Sequence, residues 1–273
     1  MLVAGVFFTL MNFGVKYLEN IPAIEIVLFR SIVSLVISAI MIKQMGLSFL
    51  GNNKTVLFLR GFFGVVALSL YFFTLQKLPF ASAVTIMQLS PIFTTILAIF
   101  ILKEVVKAPQ WLFFLVSFVG VALIKGFNPD IPLKYFMLAL LSTFFSALAY
   151  NMVRKLKDSD HPIVVVFYFP LVALPFAGIL SYFQWVQPSW TEFLILLGIG
   201  IATQIAQVNM TKAMQLEELG KVSIVGYLTM VYALFIGAIF FKETYNWITL
   251  VGMGLVIAGV LLNLRFTRTK KEL

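Results

Sequence analysis

Long apolar runs with short connections constrain this chain more than any other feature of its sequence. A helix that crosses about 30 Å of hydrocarbon needs about 20 apolar residues, since each residue advances the helix by about 1.5 Å. Ten runs of this kind occur, over residues 1–18, 24–42, 56–76, 82–102, 109–125, 132–152, 162–183, 191–212, 220–241 and 246–264. In a bilayer only helices and closed barrels satisfy all their backbone polar groups, and runs this continuous are typical of helices. The sequence therefore predicts an all-α membrane protein with ten transmembrane helices.

The composition argues against several other classes of protein. Of the 273 residues, 61% are hydrophobic and only 11% are charged, whereas about a quarter of the residues in a soluble domain are charged. The net charge of +9 comes from basic residues scattered over short connections, so we predict no nucleic-acid binding. The absence of cysteine excludes disulfides and thiolate nucleophiles. The single histidine, His161, lies in a predicted loop, and we expect neither a metal site nor a cofactor.

The second half of the chain repeats the pattern of the first at a constant offset of 139 residues. Without a gap, the offset aligns Gln76 with Gln215, Lys103-Glu104 with Lys242-Glu243, and Gly120-Val121 with Gly259-Val260. We therefore predict a five-helix repeat over residues 1–125, a second over 132–264, and a basic cytoplasmic tail over 265–273. Because five is an odd number, the second copy must enter the membrane from the opposite side. Inverted repeats are a transporter architecture, in which the substrate site lies near the midplane between the halves.

Lysine and arginine counts in the connections predict the orientation of the chain, since cytoplasmic loops are enriched in these residues. Fourteen lie on the side of the N-terminus: Lys43, Lys54, Arg60, Lys103, Lys107, Arg154, Lys155, Lys157, Lys212, Lys221, Arg265, Arg268, Lys270 and Lys271. Five lie on the other side: Lys16, Lys77, Lys125, Lys134 and Lys242. We therefore expect a multi-pass protein of the cytoplasmic (inner) membrane with both termini in the cytoplasm.

These features resemble the drug/metabolite transporter (DMT) superfamily, specifically its EamA-type ten-helix carriers, over nearly the whole chain. Besides the two five-helix copies, the resemblance rests on residues of the fourth and fifth helices. The fourth helix of each copy opens with small residues (Ala81, Ser82 and Ala83; Gly220) and ends at a glutamate (Glu104; Glu243), and in the first copy it has Pro91 in its middle. The fifth helix has a glycine late in its sequence (Gly120; Gly259). The second copy departs from this pattern with Met230 in place of the proline. The resemblance implies a carrier, and export rather than import. It does not define the substrate, because the superfamily carries molecules from amino acids and sugar nucleotides to drugs and vitamins.

Polar residues inside the predicted spans indicate a substrate site, because such residues are costly in a bilayer and should face protein or a water-filled cavity. Several fall on one face of a helix: Thr9, Asn12 and Lys16; Arg30, Ser34 and Ser38; Ser142, Ser146 and Tyr150; and Gln204, Gln207 and Thr211. Tyrosines are candidate aromatic walls. The predicted substrate-binding residues are Asn12, Lys16, Arg30, Tyr71, Gln88, Tyr150, Gln204, Gln207 and Tyr227.

The same residues also have structural interpretations. Arg30 is interpreted as a cationic anchor for a carboxylate or phosphate, but its side chain could equally extend to the membrane interface. Glu25 precedes it by five residues, which is the wrong spacing for a direct bond on a helix, so we expect Glu25 to meet Lys16 instead. The glutamines could form hydrogen bonds between helices, and the tyrosines could lie at the membrane interface.

Two further features are predicted to be structural rather than functional. Glu104 and Glu243 are interpreted as helix-end or loop contacts, because each follows a lysine at the end of an apolar run. Gly198, Ala202 and Ala206 form a row of small residues, which indicates a face that packs closely against another helix.

The sequence thus predicts a secondary transporter, an exporter or exchanger, that moves a small polar metabolite such as an amino acid or organic anion by alternating access. Proton coupling usually needs an acidic group within the spans, and none lies clearly mid-span, so exchange or facilitated flow is favoured. Two alternatives stay open: an intramembrane enzyme acting on lipid-linked groups, and a non-transporting membrane receptor or assembly subunit. The expected partners are a small-molecule substrate and the lipid bilayer, with a homodimer left open.

Overall fold

The structure is a computed structural model and describes residues 2–126, 131–216 and 228–268. Within these ranges every regular element is an α-helix, which confirms the predicted all-α class. The helices are α1 (Leu2–Tyr17), α2 (Ala23–Gln44), α3 (Lys54–Lys77), α4 (Phe80–Met87), α5 (Ser90–Ile101), α6 (Ala108–Gly126), α7 (Leu133–Lys155), α8 (Pro162–Gln184), α9 (Trp190–Leu216), α10 (Leu228–Phe240) and α11 (Trp247–Arg268).

Seven helical segments are long and apolar enough to cross a membrane, judged by length and composition. They are α2, α3, α4 and α5 taken together, α6, α7, α8 and α9. The apolar parts of α1, α10 and α11 are shorter within the described residues. The chain is thus a multi-pass membrane protein, and the number of ten spans stays a prediction.

Prolines mark the start of several helices. Pro22, Pro79 and Pro132 immediately precede α2, α4 and α7, and Pro162 is the first residue of α8. Proline suits these positions because its φ is already close to the helical value and the first N–H groups of a helix have no intrahelical acceptor.

The fourth predicted run is broken near its centre into α4 and α5. Pro91 lies in the first turn of α5 and has no N–H, so it cannot donate to the carbonyl of Met87, the last residue of α4. Gln88 and Leu89 keep right-handed helical dihedral angles between the two helices. Around this break, Gln88, Ser90 and Pro91 line a cavity inside the bundle.

The bundle is held together mainly by contacts between the two halves of the chain. The most extensive helix pairs are α6 with α11, α3 with α7, α2 with α8 and α1 with α9, and α4 also contacts α10. At the α6–α11 crossing the backbones touch. A Cβ added to Gly120 would lie 2.5 Å from the Gly252 carbonyl oxygen, and one added to Gly252 would lie 2.6 Å from the Gly120 carbonyl oxygen. Glycine is required at both positions because a side chain would push the helices apart.

Some contacts across this interface are reciprocal at the 139-residue offset. A Cβ added to Gly61 would lie 2.7 Å from Cγ2 of Val172, and one added to Gly200 would lie 2.6 Å from Cβ of Val33. Gly200 is the counterpart of Gly61 at the 139-residue offset, and Val172 is the counterpart of Val33. The two contacts are therefore the same contact with the halves exchanged. The two halves of the chain thus make the same glycine–valine contact in both directions across this interface.

The ends of α5 and α10 also match at this offset. Lys103 and Lys242 follow these helices with φ values of 56° and 54°, in the left-handed region that side chains other than glycine seldom adopt. The N–H groups of Glu104 and Glu243 then donate to the carbonyls six residues earlier, at 3.1 and 3.0 Å. The interpretation of both glutamates as helix-end residues agrees with this geometry.

The predicted close-packing row on α9 is wrong at its first member. Gly198 is exposed, and a Cβ added there would meet nothing within 4 Å. Ala202 and Ala206 are buried, as expected. The glycine that packs closely is Gly200, because that side of α9 faces α2.

Candidate functional site

A cavity of about 190 Å³ lies between the two halves of the bundle. Its wall is built from α1, α3, the break between α4 and α5, α7, α8, α9 and α10. The polar residues that line it are Asn12, Arg60, Tyr71, Gln88, Ser90, Thr94, Ser146, Tyr150, Gln207 and Thr229. Apolar side chains, among them Phe8, Phe169 and Met210, form much of the remaining wall. Apolar walls with a few convergent polar groups are typical of small-molecule sites.

Five of the nine predicted site residues meet in this cavity: Asn12, Tyr71, Gln88, Tyr150 and Gln207. The sequence places them on α1, α3, the α4–α5 break, α7 and α9, so the packing of the bundle is what brings them together. Of the other four, Lys16, Arg30 and Gln204 are not lining residues, and Tyr227 lies outside the described residues.

Two amide side chains of the lining have buried oxygen atoms available for hydrogen bonds, and so has the hydroxyl group of Ser90. Asn12 Oδ1 and Gln207 Oε1 are buried and have no hydrogen-bond partner among the described residues. Gln88 Nε2, by contrast, donates to Thr229 Oγ1 at 2.9 Å and so links the two halves across the cavity. Because a buried acceptor without a partner is destabilising, Asn12 and Gln207 are suited to accept hydrogen bonds from a bound molecule.

Lys16 lies at one end of the bundle rather than at the cavity. Its Nζ donates to the carbonyl oxygens of Gln76 and Leu78 at 3.1 and 3.2 Å and forms an ion pair with Glu19 at 2.9 Å. A cation at the C-terminal end of α3 is favourable because the carbonyls there have no helical partner. The expected contact with Glu25 is wrong, because Glu25 Oε2 accepts a hydrogen bond from the Val186 N–H at 3.1 Å instead.

Gln204 forms a hydrogen bond between helices. It is 3% exposed, and its Nε2 donates to Ser38 Oγ at 2.8 Å, from α9 to α2. This is the structural interpretation that the sequence left open for the glutamines.

Five polar lining residues were not among the predicted site residues: Arg60, Ser90, Thr94, Ser146 and Thr229. Arg60 is the charged member of this set. It was grouped with the cations of the loops, but it lies within α3, is 2% exposed, and lines the cavity. The guanidinium carbon of Arg60 is 5.5 Å from the centre of the Phe169 ring, and that of Arg30 is 4.7 Å from the same ring centre. Both guanidinium groups thus make cation–π contacts with one ring, with Arg60 at the cavity and Arg30 outside it.

A signal for Arg60 was present in the sequence. Arg60, Gly64 and Tyr71 are separated by four and seven residues, which places them on one face of a helix. Tyr71 was already a candidate, so the same face could have led to Arg60.

The described lining residues include no aspartate or glutamate. Across the described ranges, no group of three or more His, Cys, Asp or Glu residues could hold a metal ion. The chemistry that the described part of the lining offers is therefore hydrogen bonding, aromatic contact and the positive charge of Arg60.

At one end of the bundle, a carboxylate of the second half binds the start of a helix of the first half. Glu243, in the second half, accepts hydrogen bonds from the backbone N–H groups of Phe80 and Ala81 at the start of α4. The Tyr245 hydroxyl donates to the same carboxylate at 2.8 Å. Burial and the Glu243 carboxylate raise the pKa of the Tyr245 hydroxyl above its usual range, so this group stays protonated and remains a donor. We refer to the end of the bundle that these four residues join as the closed end.

A bundle of apolar helices around a cavity with a few convergent polar groups between its two halves is typical of one class of protein, the membrane transporters of small molecules. The chain belongs to the EamA-like transporter family, whose family model matches residues 1–126 and 133–265. The resemblance inferred from the sequence is confirmed.

Several characterised proteins are similar to this chain. The pseudopaline exporter CntI of Pseudomonas aeruginosa is 29% identical over 272 residues, which cover 98% of this chain and 95% of the exporter. Solute carrier family 35 member G1 of Homo sapiens is 29% identical over 94% of this chain and 76% of its own length. The riboflavin transporter of Vibrio cholerae is 29% identical over 78% of this chain and 74% of its own length.

The fold is also shared with a protein of known structure. A crystal structure with 16% sequence identity superposes with a TM-score of 0.68 and covers 97% of this chain and 99% of the other chain. The family and its members are transporters. The chain is therefore a membrane transporter and not an enzyme, and its partners are a small-molecule substrate and the lipid bilayer.

Proposed function

We propose that the chain is a secondary transporter of the cytoplasmic membrane that binds a small polar metabolite, such as an amino acid or organic anion, between its halves. The observation that carries this proposal is the cavity, in which polar side chains from both halves surround one space. Alternating access follows if the halves rock against each other and expose this space to one side at a time.

The proposal includes ten spans arranged as two inverted five-helix repeats, residues 1–125 and 132–264, followed by a basic tail over 265–273. The separate matches of the family model to residues 1–126 and 133–265 support it. So do the reciprocal glycine contacts, and a matching pair of hydrogen bonds. Gln76 Nε2 donates to the Ile21 carbonyl at 2.9 Å, and its counterpart Gln215 donates to the Asp160 carbonyl at 3.3 Å.

In this proposal each of the five predicted residues that line the cavity has a defined role. Asn12 and Gln207 accept hydrogen bonds from the substrate through their buried oxygens. Gln88 holds the two halves together at the site, through Thr229. Tyr71 and Tyr150 form aromatic walls with a hydroxyl group for polar contacts.

Lys16 and Gln204, by contrast, are proposed to have structural roles. Lys16 donates hydrogen bonds to carbonyl oxygens at the end of α3 and forms an ion pair with Glu19. Gln204 donates a hydrogen bond to Ser38.

Orientation and direction are part of the proposal. Arg60 lies inside α3 rather than in a loop, but the remaining thirteen basic residues on the N-terminal side still exceed the five on the other side. Cytoplasmic termini are therefore proposed. Export or exchange is favoured because a relative that covers 98% of this chain is an exporter.

The test is flux in liposomes. Purified protein is reconstituted into vesicles loaded with isotope-labelled bacterial metabolite extract, and the compounds that leave are identified by mass spectrometry. We expect a small set of polar compounds to leave faster than from protein-free vesicles, and faster still when the unlabelled compound is added outside. If folded, inserted protein releases nothing beyond the protein-free control, the proposal is wrong.

A further inference from the structure

Arg60 is a buried cation on the cavity wall that no carboxylate of the described residues neutralises. It is 2% exposed, and its Nε has no hydrogen-bond partner. In the described part of the chain the ion pairs are Lys16–Glu19 and Arg154–Glu104, and neither involves Arg60. A buried charge without a partner is costly. An ionisable group maintained at such a position inside a membrane protein points to a ligand that supplies the opposite charge.

Arg30 adds a second positive charge behind the same wall. Both guanidinium carbons lie within 5.5 Å of the centre of the Phe169 ring. Arg30 is 1% exposed, and its Nε and Nη1 have no hydrogen-bond partner. The ring attracts both cations but carries no net charge. Their positive potentials therefore add at the cavity, where an anion at Arg60 would experience both.

Apart from Arg60, the polar lining residues that the structure describes are uncharged. Asn12, Gln88, Ser146, Tyr150 and Gln207 offer amide and hydroxyl groups, and the described lining residues include no carboxylate for an ammonium group. A cationic substrate would be repelled by Arg60, and among the described lining residues the ammonium group of a zwitterion would find only neutral acceptors. A molecule with net negative charge is thus the best electrostatic match to the site.

We propose that the transported molecule is an organic anion whose oxyanion group, a carboxylate or phosphate, binds the Arg60 guanidinium. The planar guanidinium can bind either group with two parallel hydrogen bonds. Arg30 is a positioning residue, which strengthens the potential at Arg60 through Phe169 without touching the substrate. This inference rests on the proposed function, since it assigns a substrate class to the same cavity.

The competing explanation is that Arg60 is structural and merely stacks on Phe169. The two explanations differ in what Arg60→Lys and Arg60→Gln should do. Lysine keeps the charge but loses the paired donors, while glutamine loses the charge. If Arg60 contacts the substrate, Arg60→Lys should lower the anion flux by less than Arg60→Gln does. If Arg60 only stacks on Phe169, the effect of either substitution should not depend on the charge of the transported compound.

The experiment uses the full chain in vesicles loaded with the labelled metabolite extract. The compounds released by the unmodified protein are first classified by net charge at pH 7. We expect them to be carboxylates or phosphate esters with net negative charge. Arg60→Gln should then lower their initial rates by at least about tenfold, as for loss of a charge-assisted bidentate contact, and Arg60→Lys by less. The ratio of carboxylate to phosphate flux identifies which oxyanion group the site prefers.

A matched control and a folding check keep the test decisive. Arg154→Gln removes an arginine that pairs with Glu104 outside the cavity, and it should leave the flux of anions unchanged. Thermal unfolding of each purified variant shows whether it is folded. If Arg60→Gln is not folded, the anion flux of Arg60→Lys is compared with that of the unmodified protein instead. For Arg30, Arg30→Gln should raise the half-saturating concentration of the anions with little change in maximal rate, and Arg30→Lys should restore it.

The outcomes separate the two proposals. Release of nothing by the unmodified protein would overturn the transporter mechanism itself. Release of neutral or cationic compounds would leave that mechanism intact and overturn the anion assignment. Release of anions at an unchanged rate by folded Arg60→Gln would overturn the role of Arg60.

Discussion

Replacing Glu243 by glutamine should loosen the closed end of the bundle. The Glu243 carboxylate belongs to the second half of the chain but caps α4 in the first half, through the N–H groups of Phe80 and Ala81. Pro79, the residue before α4, provides no side-chain cap, so these N–H groups depend on an acceptor from elsewhere. Glutamine would keep one acceptor oxygen but lose the second and the negative charge.

We expect the substitution to cost about 1.5 kcal/mol of the free energy that keeps this end closed. Hydrogen bonds to charged groups contribute about 1.5–3 kcal/mol, and loss of a helix N-terminal cap costs about 0.5–2 kcal/mol. The low end of the first range applies because Glu243 is only partly buried. Since about 1.4 kcal/mol corresponds to a tenfold change in an equilibrium constant, the population open at this end should rise about tenfold.

Cysteine labelling measures this population directly. The chain has no cysteine, and Ser82, in the first turn of α4, is fully buried. A Ser82→Cys protein therefore has a single thiol that reacts with a maleimide only when this end opens. We expect it to react about tenfold faster when Glu243→Gln is also present. Circular dichroism of both proteins should show the same helix content.

Glu104 provides the matched control, because it occupies the equivalent position in the first half. Its carboxylate bonds to the partly exposed Arg154 guanidinium and not to α4. Exposed ion pairs contribute little, so Glu104→Gln should change the labelling rate by less than about twofold. Unchanged labelling in Glu243→Gln, or equal acceleration by Glu104→Gln, would refute the reasoning.

Five further substitutions, two of them controls, test the packing, the cavity and the closed end. Gly200→Ala places a methyl group 2.6 Å from a valine Cβ and should lower the free energy of unfolding by about 1–3 kcal/mol. The control Gly198→Ala places a methyl group where nothing lies within 4 Å, so the thermal midpoint should be unchanged or higher. Gln207→Ala, which removes a cavity acceptor, should lower substrate flux several-fold, whereas Gln204→Ala should lower the thermal midpoint slightly and leave the half-saturating concentration unchanged. Tyr245→Phe removes one donor to the closing carboxylate, worth about 1 kcal/mol, and should accelerate the cysteine labelling about fivefold.

The membrane class and the transporter family could be inferred from the sequence because both depend on local patterns. The length of an apolar run determines whether a helix can cross a bilayer, and this length does not depend on contacts with other parts of the chain. The 139-residue offset is likewise a property of the chain itself, and it reappears in the matching geometry at Lys103 and Lys242.

Predictions of individual site residues were less accurate, because helical spacing defines a face but not its neighbour. Asn12 and Lys16 were predicted to share a face of α1, yet Asn12 lines the cavity while Lys16 binds the end of α3. Gln204 and Gln207 diverge in the same way, one toward Ser38 and the other toward the cavity.

By itself, the sequence determined that this chain forms apolar helices, that its halves share one pattern, and that polar groups lie within the membrane. Only the tertiary structure decided which polar groups share a space. Arg60 illustrates the difference. In sequence it is one more cation near the start of a helix, whereas in the bundle it lies on a cavity wall with Phe169 and Arg30. The physical reason is that burial and charge compensation depend on neighbours from distant parts of the chain, and only the packing of the helices brings those neighbours together.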